Sequence, residues 1–360
     1  MNHVTITPSR RHRRAGVAML TALWTGVVYA GPLAATQPGL SDVLPLDVPA
    51  LRALRAEVGE RFRVTQTPHF VIVSDSGADR VRQTRDTIEA TYDRVRTFAT
   101  AMGPVARRPP CKMTVLLFDT WAGYEGHARK IGFVVSESVP GAFDSRSNQC
   151  LMYNFAHSAL IRQKRRELSA ALAGGGVTGP AASRRRRRIE GLSRQIASYE
   201  RLINATVVRH EIAHQVLANI GLQRPELGMR RWLTEGLAMQ FESEGPVNRY
   251  RLEDLTSTET RRNPIEARSL ITDPKRLGPG AERLPIAYAT AWGLVRFLID
   301  RRPRAFRDYL TGTGPAEPSG ATEVRREAAA FEAAFGALDE AFESEFRGYT
   351  RELAASAAGH

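Results

Sequence analysis

Two histidines four residues apart, with a glutamate beside the first, constrain this chain more than any other feature: His210, Glu211, Ile212, Ala213, His214. Ile203, Val207, Ile212, Val216, Leu217 and Ile220 recur around them at helical spacing, and Gly221 stands where a C-terminal cap belongs. On a helix, side chains at i and i+4 lie one above the other, so both imidazoles can reach a single metal ion. Glu211 falls on the adjoining flank, where it can take a proton from water without becoming a ligand. A catalytic zinc needs a third protein ligand and one open position. The run 232–238 (W-L-T-E-G-L-A) follows a short loop, reads as a second helix and offers Glu235. The expected set is therefore His210, His214 and Glu235 on Zn2+, with Glu211 as the base. Glu242 and Glu244, at the fraying end of that second helix, and Glu226, in the loop before it, are rival carboxylates. A metzincin pattern is excluded, because it needs Gly at 217 and His at 220 where this chain has Leu217 and Ile220. The bland alternative is a helix with two hydrogen-bonded histidines. Burial argues against it, since two imidazoles and a carboxylate are costly inside a fold without a metal or full hydrogen bonding.

The segment 204–215 (N-A-T-V-V-R-H-E-I-A-H-Q), taken with 232–238, resembles the gluzincin metallopeptidases. It is more closely similar to a bacterial family of unknown function in the peptidase-MA-like group. The likeness takes in 69–74 (H-F-V-I-V-S) and 288–298 (Y-A-T-A-W-G-L-V-R-F-L), and so runs over most of 62–353 apart from an insert. It implies an α+β, zincin-like fold: a small mixed sheet with an active-site helix, followed by a mostly helical C-terminal half. It implies zinc-dependent hydrolysis of a protein or peptide substrate. In such folds the strand beside the metal helix lines the cleft, and its free edge can pair with an extended peptide. The run opening at Tyr288 is similar to the segment after the third ligand in the aminopeptidase N family, where the opening tyrosine steadies the tetrahedral intermediate. That likeness makes Tyr288 a candidate catalytic residue, the alternative being a tyrosine packed at a helix start. The exopeptidase signature of that family, Gly-Ala-Met-Glu-Asn, has only an echo in Gly141, Ala142, Phe143 and Asp144, without the glutamate that would hold a substrate amino terminus.

Around these motifs the chain divides into five parts. Residues 1–30 read as a signal peptide: Arg10, Arg11, Arg13 and Arg14 precede an apolar stretch that ends at the small-residue site Val28-Tyr29-Ala30. The expectation is export to the periplasm or beyond. Left uncleaved, the segment would tether the chain to a membrane, although it is short of the roughly 20 residues a span needs. Residues 31–60 form a proline-rich linker and a short helix at 51–60. Residues 61–160 form an α/β sheet subdomain: strands at 69–73 and 112–118, helices at 78–100 and 120–130, and a hairpin over 141–155 turning at 145–148. Residues 161–202 form an arginine-rich helix–loop–helix insert broken at 173–180, and 203–360 a helical metallopeptidase subdomain. Within the last, 261–285 reads as loop, 286–300 as a strong helix and 321–355 as two more. Cys111 and Cys150 both stand at strand starts; in an exported chain they either pair or remain two thiols.

Net charge is +13, yet the insert alone has eleven basic residues against three acidic ones, and the first segment has four arginines more. The rest of the chain is close to neutral, so basicity belongs to two short segments. An anionic surface, lipid or cell wall, is the partner such an arm would take, the alternative being a solvated arm. Nucleic acid fits poorly, because no aromatic residue is interleaved with the arginines for base stacking. Other functions compatible with the sequence are a zinc-binding module without activity, a non-peptidase hydrolase at the same site, and a binder acting through the arm.

Overall fold

The computed structural model describes residues 43–103, 107–173, 180–223, 230–278, 280–312 and 320–358. The signal segment and most of the linker, the glycine-rich break at 174–179, and Glu226 lie outside the described residues.

The N-terminal part is a five-stranded mixed sheet in the order β1-β2-β3-β5-β4. Helix α1 (Val48–Val58) leads into β1 (Arg63–Gln66), which pairs antiparallel with β2 (Phe70–Ser74). Helix α2 (Ala78–Met102) crosses to β3 (Met113–Phe118), parallel to β2. Helix α3 (Trp121–Lys130) is capped by the Thr120 hydroxyl, which accepts from the Gly123 N–H. The hairpin of β4 (Gly141–Asp144) and β5 (Gln149–Tyr153) follows, with β5 parallel to β3 and β4 outermost. Asn148 closes its turn at φ 55°, a left-handed conformation that asparagine tolerates.

Alternation along the strands decides the layers. Ile72, Val115, Leu117, Cys150 and Met152 face α2 and the metal-motif helix, burying Ile88, Val95, Val208, Ile212 and Val216 with them. Val73, Leu116, Leu151 and Tyr153 face the other way, against Leu54 of α1 and Tyr124 of α3. The central strands are thus buried on both sides, which is why they read as unbroken apolar runs.

Helix α4 (Ala159–Ala173) returns against α5 (Pro180–Asn219), a single helix of 40 residues that contains both histidines of the motif. The boundary expected at 202/203 therefore falls inside one continuous helix. Gly221, at φ 85°, follows its end as the cap anticipated from sequence. The C-terminal half is helical: α6 (Arg231–Ala238), α7 (Arg249–Leu255), α8 (Thr258–Arg262), α9 (Ala267–Thr272), α10 (Leu284–Arg301), α11 (Pro303–Gly312), α12 (Gly320–Phe335) and α13 (Glu340–Ala358). Helix α10 is the hub, with Ala287, Ala291, Trp292, Leu294, Val295, Phe297 and Leu298 buried. The architecture is α+β with a helical C-terminal half, as the sequence led one to expect. The stretch 261–285 departs from the expected loop. It holds α9 and a 3-10 turn at Pro274–Leu277, because Ile265, Leu270, Ile271 and Leu277 are buried in the same core as α10. Among the described residues no helix is long and apolar enough to cross a membrane.

Candidate metal centre

Helix α5 presents His210 and His214 on one face, and α6 brings Glu235 to the same point. The two imidazole Nε2 atoms are 3.1 Å apart. Glu235 Oε2 lies 3.3 Å from His210 Nε2 and 3.6 Å from His214 Nε2. A tetrahedral ion with bonds of about 2.1 Å would separate its ligand atoms by roughly 3.4 Å. The donor set therefore fits such an ion, and these three residues are a group that could hold a metal. Close approach of α6 depends on Gly236, where a Cβ would lie 2.5 Å from Val295 Cγ2 and 2.7 Å from the Ala291 carbonyl oxygen of α10.

Each imidazole is oriented through its other nitrogen. With Nε2 turned to the shared point, His210 Nδ1 donates to Glu242 Oε1 at 3.0 Å and His214 Nδ1 donates to Gln223 Oε1 at 3.2 Å. Gln223 Nε2 in turn donates to the Thr234 carbonyl at 3.0 Å, tying His214 to the backbone beside Glu235. Glu242 is itself clamped: Arg251 donates to both its oxygens at 2.9 and 2.7 Å, and Asn248 Nδ2 donates to Oε2 at 2.7 Å. Two of the rival carboxylates, Glu242 and Glu244, thus have other partners. Glu242 backs His210 from the far side of the ring, and Glu244 pairs with Arg209. The parts played by Gln223, Asn248 and Arg251 carry no sequence signal, because each partner comes from a different element.

Glu211 stands beside this group and outside it. Its carboxylate borders the edge strand at Gly141, where a Cβ would come within 2.9 Å of Glu211 Cγ and 2.5 Å of Val207 Cγ1. Cys150 is buried and free, and its thiol donates to the Glu211 carbonyl at 3.2 Å. Cys111 is also free, so the two cysteines do not pair. Tyr288, at the start of α10, has the Arg251 guanidinium 5.7 Å from its ring centroid. It also lies close enough to Glu235 and Arg231 to feel both charges.

Electrostatics separate the two carboxylates. Burial raises the pKa of Glu211, and the nearby His210 and His214 only partly offset it. Burial acts in the same direction on Glu235, but the two imidazoles outweigh it and hold this carboxyl far below the usual range. For Glu242 burial is likewise opposed, chiefly by the charge of Arg251 and the His210 hydrogen bond, which bring it to about 2. Burial alone would lower His210, yet Glu235 and Glu242 raise it well above its ordinary value. Burial, then the charge of Glu235, push Tyr288 up to about 12.

A pH prediction follows from His210. In the metal-free protein its raised pKa, set by Glu235 and Glu242, favours the protonated ring. The resulting stabilisation is fully present below the ordinary histidine pKa and is lost as pH rises through the raised one. Ligation requires neutral imidazole, so metal loading at pH 7 should release about one proton per ion, and affinity should increase with pH. Calorimetric titration in buffers of different ionisation enthalpy measures this directly. Binding without proton release would mean that His210 is neutral in the free protein.

Comparison with known proteins bears on part of this assembly. Residues 204–319 match a family described as a protein of unknown function (DUF1570). The matched stretch holds both 210–214 and 232–238 and runs through α10, so it covers the residues of the metal group and Tyr288 but not the first part of α5. No curated protein matches the chain.

Proposed function

We propose that this chain is a zinc-dependent peptidase of the gluzincin kind, exported from the cytoplasm. The observation that carries the reading is the convergence of two imidazoles and a carboxylate at tetrahedral spacing, with an unligated, buried carboxylate alongside. A zinc ion held by His210, His214 and Glu235 would supply Lewis acidity, lowering the pKa of water towards about 7 and polarising a carbonyl.

The chain's own residues would do the rest. Glu211, its pKa raised by burial, accepts a proton from the attacking water and delivers it to the leaving amine. Tyr288 keeps its proton at neutral pH and donates a hydrogen bond to the substrate oxygen as charge builds on it. The outermost strand β4 offers backbone groups to an extended peptide, and Gly141 lets that strand lie close to Glu211. Export rests on the basic and then apolar pattern of residues 1–30.

The test is incubation of the zinc-loaded chain with a mixed peptide library, new termini being read by mass spectrometry. Cleavage that stops with chelator and returns with zinc is the expected result. A fully loaded protein that produces no new termini would instead be a zinc-binding module.

A further inference from the structure

The proposed chemistry leaves one built element unused, the hairpin of α4 and the first half of α5. Its two helices are held together by buried side chains. Ile161, Leu168 and Ile189 are buried, and Arg165 Nη2 donates to both oxygens of the buried Glu200 at 2.9 and 2.7 Å. Near its end, Arg185 donates to the carbonyl of Ala171, fastening the start of α5 to the end of α4. The described parts of the two helices are therefore fastened to one another, with the charge on their outside.

Its outside is basic. Arg162, Arg166, Arg184, Arg185, Arg186, Arg187, Arg188 and Arg194 are all exposed. Arg186 is paired with Glu190, whereas Arg184, Arg187 and Arg188 have no carboxylate partner among the described residues. Five successive helical positions are spaced about 100° apart, so their side chains ring the helix and cannot share one face. A ring suits contact with a plane met end-on better than insertion along a groove. The exposed Leu172 lies at the same end, one residue from the last residue of α4. No aromatic residue occurs between 159 and 198 to stack on bases.

We propose that the arginine-ringed end of this hairpin docks on an anionic lipid surface, and that α5 sets the distance between that surface and the metal centre. The same uninterrupted helix carries Arg188 and His210. At about 1.5 Å per residue they stand about 33 Å apart along its axis. A docked chain would then hold its cleft clear of the headgroups and within reach of segments that project from the bilayer. The docking stands whether or not the centre hydrolyses peptides.

The experiment uses residues 31–360, which include every described residue, with vesicles of phosphatidylcholine alone or mixed with phosphatidylglycerol. Sedimentation should show binding to the anionic vesicles only, weakening steeply as salt is raised. The triple variant Arg184→Gln, Arg187→Gln, Arg188→Gln should bind about a hundred-fold more weakly, at roughly five-fold per arginine near the surface. Lysine at the same three positions should retain binding, which separates loss of charge from loss of fold. Hydrogen exchange on anionic vesicles should protect amides at the hairpin end and leave those of α6 and α7 unchanged. Equal binding to both vesicle types, or wild-type binding by the glutamine variant, would overturn the docking. Protection spread over α6 and α7 would overturn the stand-off. Arginine-dependent binding to duplex DNA with none to vesicles would assign the arm to nucleic acid instead.

Discussion

Glu211→Gln is expected to retain about one metal ion per chain and to lose peptide turnover by roughly a hundred- to ten-thousand-fold, the range general acid–base groups supply. The substitution is isosteric, so the close contact with Gly141 and the packing of Val207 are preserved. It removes a proton acceptor that is not among the three converging donors. It also removes a negative charge that helps raise His210, so His210 should protonate less readily and metal binding should not weaken. The wild-type protein should lose the proposed activity as pH falls, once the buried Glu211 carboxyl, raised above the ordinary glutamate value, becomes protonated. In the variant that acidic limb should vanish with the activity. Metal analysis beside kcat/KM over a pH series decides the matter. Turnover at the wild-type rate by the Glu211→Gln variant would remove Glu211 from the chemistry.

How much of this could be read from sequence depended on how local each signal is. The ligand turn of α5 was legible because the i, i+4 histidines and the apolar residues around them obey one helical period. The central strands were legible as apolar runs, since burial on both faces leaves no polar alternation. The region 261–285 reads as loop because α9 has only six residues, less than two helical turns, while Pro264, Pro274, Gly278, Gly280 and Pro285 around it suggest loop. The arm's packing has a signal that the arginines obscure: Ile189, Ile196 and Ile203 recur every seven residues, Ile189 is buried, and Ile196 and Ile203 pack in the same cluster as Ile161 of α4. Glu242 reads from sequence as a rival ligand, and the structure gives it a different part. Its carboxylate does approach His210, but at Nδ1, and its orientation is set by Arg251 and Asn248, which no local pattern links to it. The arrangement around Gln223 is equally non-local. It follows the cap at Gly221 and reaches back to His214 and forward to Thr234.

Gly236→Ala is expected to destabilise the protein and to weaken metal binding at least ten-fold, although alanine is the better helix former. The two effects oppose each other, and their sizes decide the sign. Alanine gains about 0.8–1.0 kcal/mol over glycine inside a helix. Overpacking a well-filled core costs about 1–3 kcal/mol, and this site lies at the upper end. The new Cβ would meet the Ala291 carbonyl oxygen at 2.7 Å, a backbone atom of the buried hub helix that cannot rotate away. It would also meet Val295 Cγ2 at 2.5 Å, and a β-branched side chain on a helix has little rotamer freedom with which to yield. Relief therefore comes from α6 lifting off α10, which takes Glu235 away from imidazoles now 3.3 and 3.6 Å distant. The same shift breaks the Gln223 hydrogen bond to Thr234 and loosens His214. Adding Val295→Ala should restore part of the affinity, because it clears one of the two contacts and leaves the carbonyl. Melting temperature and competition with a chelating dye measure the two consequences together. If Gly236→Ala proves more stable and binds metal as the wild type does, the contact between α6 and α10 does not position Glu235.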